Sequence, residues 1–140
     1  MTTTTSAPAT QAAHPSATTA AAMVADARGR IENLTVEEVA GELEAGTLVV
    51  DIREPEERQS RGAIPGSVHA ARGMLEFYAD PTSPYHRPEF DPSRRTILAC
   101  ASGGRSALAV TTLQELGYTD VAHLGGGFKA WSEAGRPVAR

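Results

Sequence analysis

Cys100 is the only cysteine of the 140-residue chain, and it joins an apolar run, Thr96-Ile97-Leu98-Ala99, to a loop of small residues, Ala101-Ser102-Gly103-Gly104-Arg105-Ser106. Beyond the loop, Ala109, Val110, Leu113 and Leu116 fall at i, i+1, i+4 and i+7, one face of a helix. A sulfur nucleophile thus stands at a predicted helix N-terminus, where N–H groups lack intrahelical acceptors and the dipole favours an anion. Gly103 and Gly104 free the backbone so that N–H groups between Ala101 and Arg105 turn inward as an anion-binding nest. The helix dipole contributes about 0.3–1 kcal/mol, whereas each hydrogen bond to a charged group is worth about 1.5–3 kcal/mol. The loop backbone is therefore expected to activate Cys100 more than Arg105, which adds a positive charge at the rim.

The elements that must hold this loop follow from periodicity. Residues 1–22 are mostly Thr, Ala, Ser and Pro with no Asp, Glu, Lys or Arg, a composition too poor in apolar area to offset the entropy of ordering. They are set aside as a disordered leader, and residues 23–140 are expected to form one domain. Ile31 to Leu34 suit a short strand. Thr35 and Glu38 have capping-box spacing before the stripe Val36, Val39, Ala40, Leu43, and Gly46 closes that helix. Leu48 to Ile52 form a strand covered on both faces, interrupted by Asp51.

Asp51 and Arg53 stand where a parallel strand would meet a ligand crevice, or else they pin turns by local hydrogen bonds; the pattern leaves both open. Pro55 and the acids Glu56 and Glu57 suit a helix start. Val68 to Ala71 read as a brief strand, with His69 structural, and Arg72 to Tyr78 as a helical segment. Residues 79–95, with four prolines, are expected to be a surface loop, with Tyr85, His86 and Phe90 packed beneath it or lining an entrance. Val121 to Leu124 read as the last strand. Gly125 to Ala130 fit G-x-G-x-x-A, but no later strand or acid completes a dinucleotide site. Those glycines instead permit a sharp turn and close packing of a helix bearing Phe128 and Trp131. No cofactor is expected.

A net charge of −4 and the lack of a Lys/Arg cluster argue against nucleic-acid and membrane partners. His14, His69, His86 and His123 lack metal-ligand spacing, so no metal is expected. A single cysteine excludes an internal disulfide and a resolving thiol, so any adduct on Cys100 must be removed by attack from outside. The N-terminus lacks the pattern of a secretory signal, and the cytoplasm is the expected location.

Three separated stretches together resemble the rhodanese-like family. Val50-Asp51-Ile52-Arg53-Glu54-Pro55-Glu56-Glu57 continuing to Gly62-Ala63-Ile64-Pro65-Gly66-Ser67 is similar to its first signature, Cys100 to Ser106 to its active-site loop, and Leu124 to Trp131 to its C-terminal signature. The resemblance implies an α/β fold with a central parallel sheet of about five strands and helices on both faces. It implies a sulfurtransferase or persulfide carrier in which Cys100 takes a sulfane sulfur from a small donor such as thiosulfate and yields it to a thiol or cyanide. Ala101, Ser102, Gly103, Gly104, Arg105 and Ser106 would then form the substrate cradle, with Asp51, Arg53 and Arg72 as supporting residues and a monomer as the expected state. Four residues separate Cys100 from Arg105, one fewer than in Cys-x5-Arg phosphatases, which favours a sulfur-centred anion. Ala101 and Ser102 are uncharged where thiosulfate-using relatives carry basic residues, leaving the donor open. A non-catalytic interaction module and a phosphatase or arsenate-reductase-like enzyme stand as alternatives.

Overall fold

The computed structural model describes residues 17–140. Most of the expected leader, residues 1–16, lies outside them. Helix α1 (Ala20–Arg28) begins ahead of the expected boundary at Met23: Thr19 Oγ1 caps it by accepting the Ala22 N–H at 3.0 Å. The alanines that follow lose almost no side-chain entropy in a helix, which composition read as weakness alone overlooks.

Strand β1 (Glu32–Leu34) leads into α2 (Val36–Glu44), whose capping box is present: Thr35 Oγ1 accepts the Glu38 N–H at 3.1 Å and Glu38 Oε1 accepts the Thr35 N–H at 2.8 Å. Next come β2 (Leu48–Asp51), α3 (Pro55–Arg61) and β3 (Val68–His69). A 3-10 turn at Arg72–Met74 runs into α4 (Leu75–Ala79). The chain closes with β4 (Thr96–Ala99), α5 (Gly104–Glu115), β5 (Val121–Leu124) and α6 (Gly127–Glu133).

The five strands form one parallel sheet in the order β1-β5-β4-β2-β3, as the resemblance implied. Alternation along the central strands divides the core in two. Val50 and Leu98 pack with Leu75, Val110 and Leu113 on one face, while Val49, Ile97 and Ala122 pack with Val39, Phe128 and Trp131 on the other. Because every strand runs the same way, the chain leaves β2, β4 and β5 on the same edge of the sheet. Asp51 pairs with Ala99 in register, so the turn after β2 lies beside the Cys100 loop.

The loop over 79–95 is tied down rather than free. Tyr118 donates to Ala79 O at 2.8 Å, Arg87 donates to His69 O at 2.7 Å, and Phe90 is buried. His86 Nε2 sits 2.8 Å from Phe90 O, and Tyr85 is exposed edge-on to Phe77. Packing beneath the loop therefore accounts for Phe90, while Tyr85 rests on the surface.

Candidate active site

Cys100 is 1% exposed, at the end of the central strand β4. Its Sγ accepts the Gly103 N–H at 3.1 Å and the Ser106 N–H at 3.4 Å. The Gly103 and Ser106 amides reach the sulfur while the loop's carbonyls at Cys100, Ala101 and Ser102 are engaged elsewhere. Cys100 O accepts the Phe128 N–H at 2.8 Å and Ala101 O accepts the Lys129 N–H at 3.0 Å, so orphan donors in the first turn of α6 turn these peptide planes outward. Arg28 of α1 draws Ser102 O the same way at 3.3 Å and also holds Gly125 O at 3.1 Å. Among the described residues, the amides of Ala101, Ser102, Gly104 and Arg105 donate to no protein group.

Two glycines make this approach feasible. Gly103 has φ +96°, and a Cβ there would run into the Gly125 carbonyl and the Arg28 guanidinium. Gly127 has φ +70°, and its Cβ would strike the Ala101 carbonyl. The C-terminal glycine run thus seats α6 against the Cys100 loop, as close packing required.

The rim is charged but largely closed on itself. Arg105 makes a two-pronged pair with Glu57, at 2.8 and 3.0 Å, which holds that carboxyl down at about 2 despite partial burial. The Arg105 fork is accordingly engaged across 48 residues of chain, not free over the sulfur. Asp51 is buried beneath the turn after β2 and accepts from the Arg53 backbone at 3.0 Å, from the Arg53 guanidinium at 2.9 Å and from Arg58 at 2.9 Å. Burial pushes its carboxyl up, but the bonds from Arg53 outweigh it and the net direction is down. Arg53 also donates to Gly62 O at 2.7 Å and lies over the Phe128 ring at 4.4 Å. Asp51 is therefore a turn pin, while Arg53 both pins the turn and lines the groove beside the loop. Arg72 faces elsewhere, donating to Glu76 at 2.9 Å and to Thr112 on α5 at 3.3 Å. His69 Nε2 is 2.7 Å from Arg53 O, a structural contact.

A groove of about 750 Å³ opens next to the loop, lined by Arg53, Glu57, Arg61, Ala101, Ser102 and Lys129. Ser106 Oγ lies 3.4 Å from Sγ and 2.7 Å from His123 Nδ1, and His123 Nε2 lies 2.7 Å from Asn33 Oδ1. Burial, with the positive charge of Arg28, holds the His123 ring down to about 4, hence neutral near pH 7. Arg28, Asn33 and His123 escaped the motif reading, since each is joined to the Cys100 loop only through the strand order.

Residues 35–134 match the Rhodanese-like domain family, more than half of the chain. The chain belongs to the rhodanese-like family. Within it, the chain is 36% identical over 103 residues to thiosulfate sulfurtransferase 16, chloroplastic, of Arabidopsis thaliana, covering 67% of this chain and 81% of that one. A Rhodopseudomonas palustris protein of unknown function, described as a possible tyrosine phosphatase, superposes with a TM-score of 0.81 at 43% identity over 90% of this chain and 99% of its own. The polysulfide-sulfur transferase homodimer of Wolinella succinogenes matches at TM-score 0.68 and 26% identity over 84% of each chain. The relatives support a sulfurtransferase-type family. Arg28 and Asn33 precede the matched segment, on α1 and β1.

Proposed function

We propose that this rhodanese-like protein moves a sulfane sulfur from a small anionic donor to a thiol or cyanide through a persulfide on Cys100. The observation that carries the reading is the loop's own geometry: two amides already on Sγ, and four more, of Ala101, Ser102, Gly104 and Arg105, without a protein acceptor. A thiolate uses the first pair, and the outer sulfur of a persulfide anion, one bond further out, meets the rest.

With thiosulfate, the Cys100 thiolate forms a bond to the outer sulfur while the bond to the sulfonate sulfur breaks, and sulfite leaves with the electron pair. The terminal sulfur of the persulfide now carries the negative charge. An external thiolate or cyanide attacks that sulfur, the S–S bond breaks and Cys100 is restored as thiolate; total charge is conserved in both steps. The chain holds no second cysteine to intercept the adduct. Arg105, tied to Glu57, contributes charge and loop rigidity, whereas Arg61 and Lys129 in the groove are the cations to meet an anionic donor.

Thiocyanate formation from thiosulfate and cyanide tests this reading: turnover is expected for the native chain and none for Cys100→Ser. Equal turnover in both would remove Cys100 from the chemistry. A phosphatase reading draws on the Rhodopseudomonas neighbour's description, but clamping a phosphate dianion needs a free guanidinium, and Arg105 is committed to Glu57. Release of phosphate from an aryl phosphate would restore it. An interaction module predicts that Cys100 alkylates no faster than a free thiol.

A further inference from the structure

Three consecutive peptide units carry the loop away from Cys100, and each is gripped by its carbonyl. Phe128 and Lys129 hold Cys100 O and Ala101 O through backbone N–H groups at the start of α6. The third grip is a side chain. Arg28 donates to Ser102 O at 3.3 Å, and among the described residues no other group does so. Ser102 O and the Gly103 N–H belong to one peptide unit, and in a trans peptide the two point opposite ways. Drawing the oxygen out to Arg28 therefore aims the N–H in at Sγ, 3.1 Å away.

Helix α1 is built to deliver this guanidinium. Buried Ala27 seats the helix, and Asn33 Nδ2 donates to Arg28 O at 2.9 Å, tying its last turn to β1. Asp26 pairs with Arg30 at 2.8 Å, and among the described residues Arg28 has no acidic partner. Its fork is spent on two neutral carbonyls, Ser102 O and, at 3.1 Å, Gly125 O, so it clamps the Cys100 loop to the turn before α6. Its charge stays uncompensated, whereas that of Arg105 is closed by Glu57.

We propose that Arg28 is a positioning residue for the sulfur transfer: by holding Ser102 O it keeps the Gly103 N–H aimed at the Cys100 sulfur. The proposal rests on the reading of Cys100 as the nucleophile. It makes α1, which precedes the matched segment 35–134, a working part of the site. Arg28 is not among the residues lining the groove, so it acts on the reaction through the loop and not by meeting the donor.

The test compares the native full chain with Arg28→Ala, reading thiocyanate formation from thiosulfate and cyanide beside amide hydrogen exchange. Loss of one well-aimed hydrogen bond to a charged sulfur is expected to lower kcat per folded chain by about tenfold, with KM for thiosulfate within about twofold of native. The Gly103 amide should exchange about tenfold faster while Ile97 and Leu98 of β4 keep their native rates. A general loss of stability would instead quicken all three together. Arg28→Lys keeps the charge but not the fork, and is expected to show the same pattern at about threefold; it also serves if Arg28→Ala does not fold. Native kcat in the folded variant, or Gly103 exchange that rises no more than that of Ile97, would overturn the proposal. The exchange measurement needs no sulfur donor, so it judges Arg28 separately from sulfur transfer, which Cys100→Ser judges on its own.

Discussion

The two edges of the sheet are held by opposite means. At the carboxyl edge, the Cys100 loop is held by backbone: carbonyls into the first turn of α6, amides onto sulfur, and two glycines that let the chains touch. At the amino edge, Arg95 alone gathers three acids, with Glu42 at 2.6 Å, Asp120 at 2.8 Å and Glu32 at 3.0 Å. Glu32 and Asp120 are half exposed there. Backbone contacts allow no substitution of partners, whereas long surface side chains are exchangeable and screened by salt. The difference teaches where this fold concentrates its exacting geometry: at the edge that carries the sulfur.

The largest test of that contrast is Asp51→Ala. It strands Arg53, 2% exposed, without its carboxylate, and about 3–5 kcal/mol of stability should be lost in chemical denaturation. A loss no bigger than that from a surface pair would put the two edges on one footing. Gly103→Val comes next. The Cβ must displace Gly125 O and Arg28, so turnover should fall by about 100-fold, with a lowered Tm because the obstruction is backbone. Intact turnover would show that the amide cradle is dispensable.

His123 sharpens the comparison through pH. Its folded value of about 4 lies below the ordinary 6.5, so the unfolded chain takes up the proton first as pH falls. The stability it confers is complete above pH 6.5 and declines toward pH 4, by at most about 3 kcal/mol. His123→Gln should flatten that slope relative to the native chain in denaturant melts at successive pH values. The smallest effect belongs to the amino edge: Arg95→Ala should cost about 1 kcal/mol at low salt and less at 1 M. A larger, salt-independent loss would mean that the Arg95 cluster is as exacting as the sulfur loop.

Much of the architecture was legible because it is local. The Thr35–Glu38 box, the stripe after Gly104 and the apolar runs at Leu48, Thr96 and Val121 are each set by neighbours within one or two turns. The start of α1 at Ala20 was missed because apolar area, not helix propensity, was weighed there. What periodicity cannot carry is partnership across the sheet. The engagement of Arg105 by Glu57, the Arg28 contacts to Ser102 O and Gly125 O, and the path from Asn33 through His123 to Ser106 join segments 17 to 97 residues apart. Only the order β1-β5-β4-β2-β3 brings them together. Asp51 and Arg53 show the same limit: their pairing is two residues long, but whether it faced a ligand or a turn depended on Gly62 and Phe128.

The central claim is that Cys100 itself carries the transferred sulfur. Intact-mass measurement after incubation with thiosulfate, glutathione persulfide or mercaptopyruvate tests it most directly. The account predicts a gain of one sulfur atom with at least one donor, lost on adding cyanide and absent in Cys100→Ser. The same gain in Cys100→Ser, or none from any donor on a native chain whose Cys100 still alkylates, would contradict it.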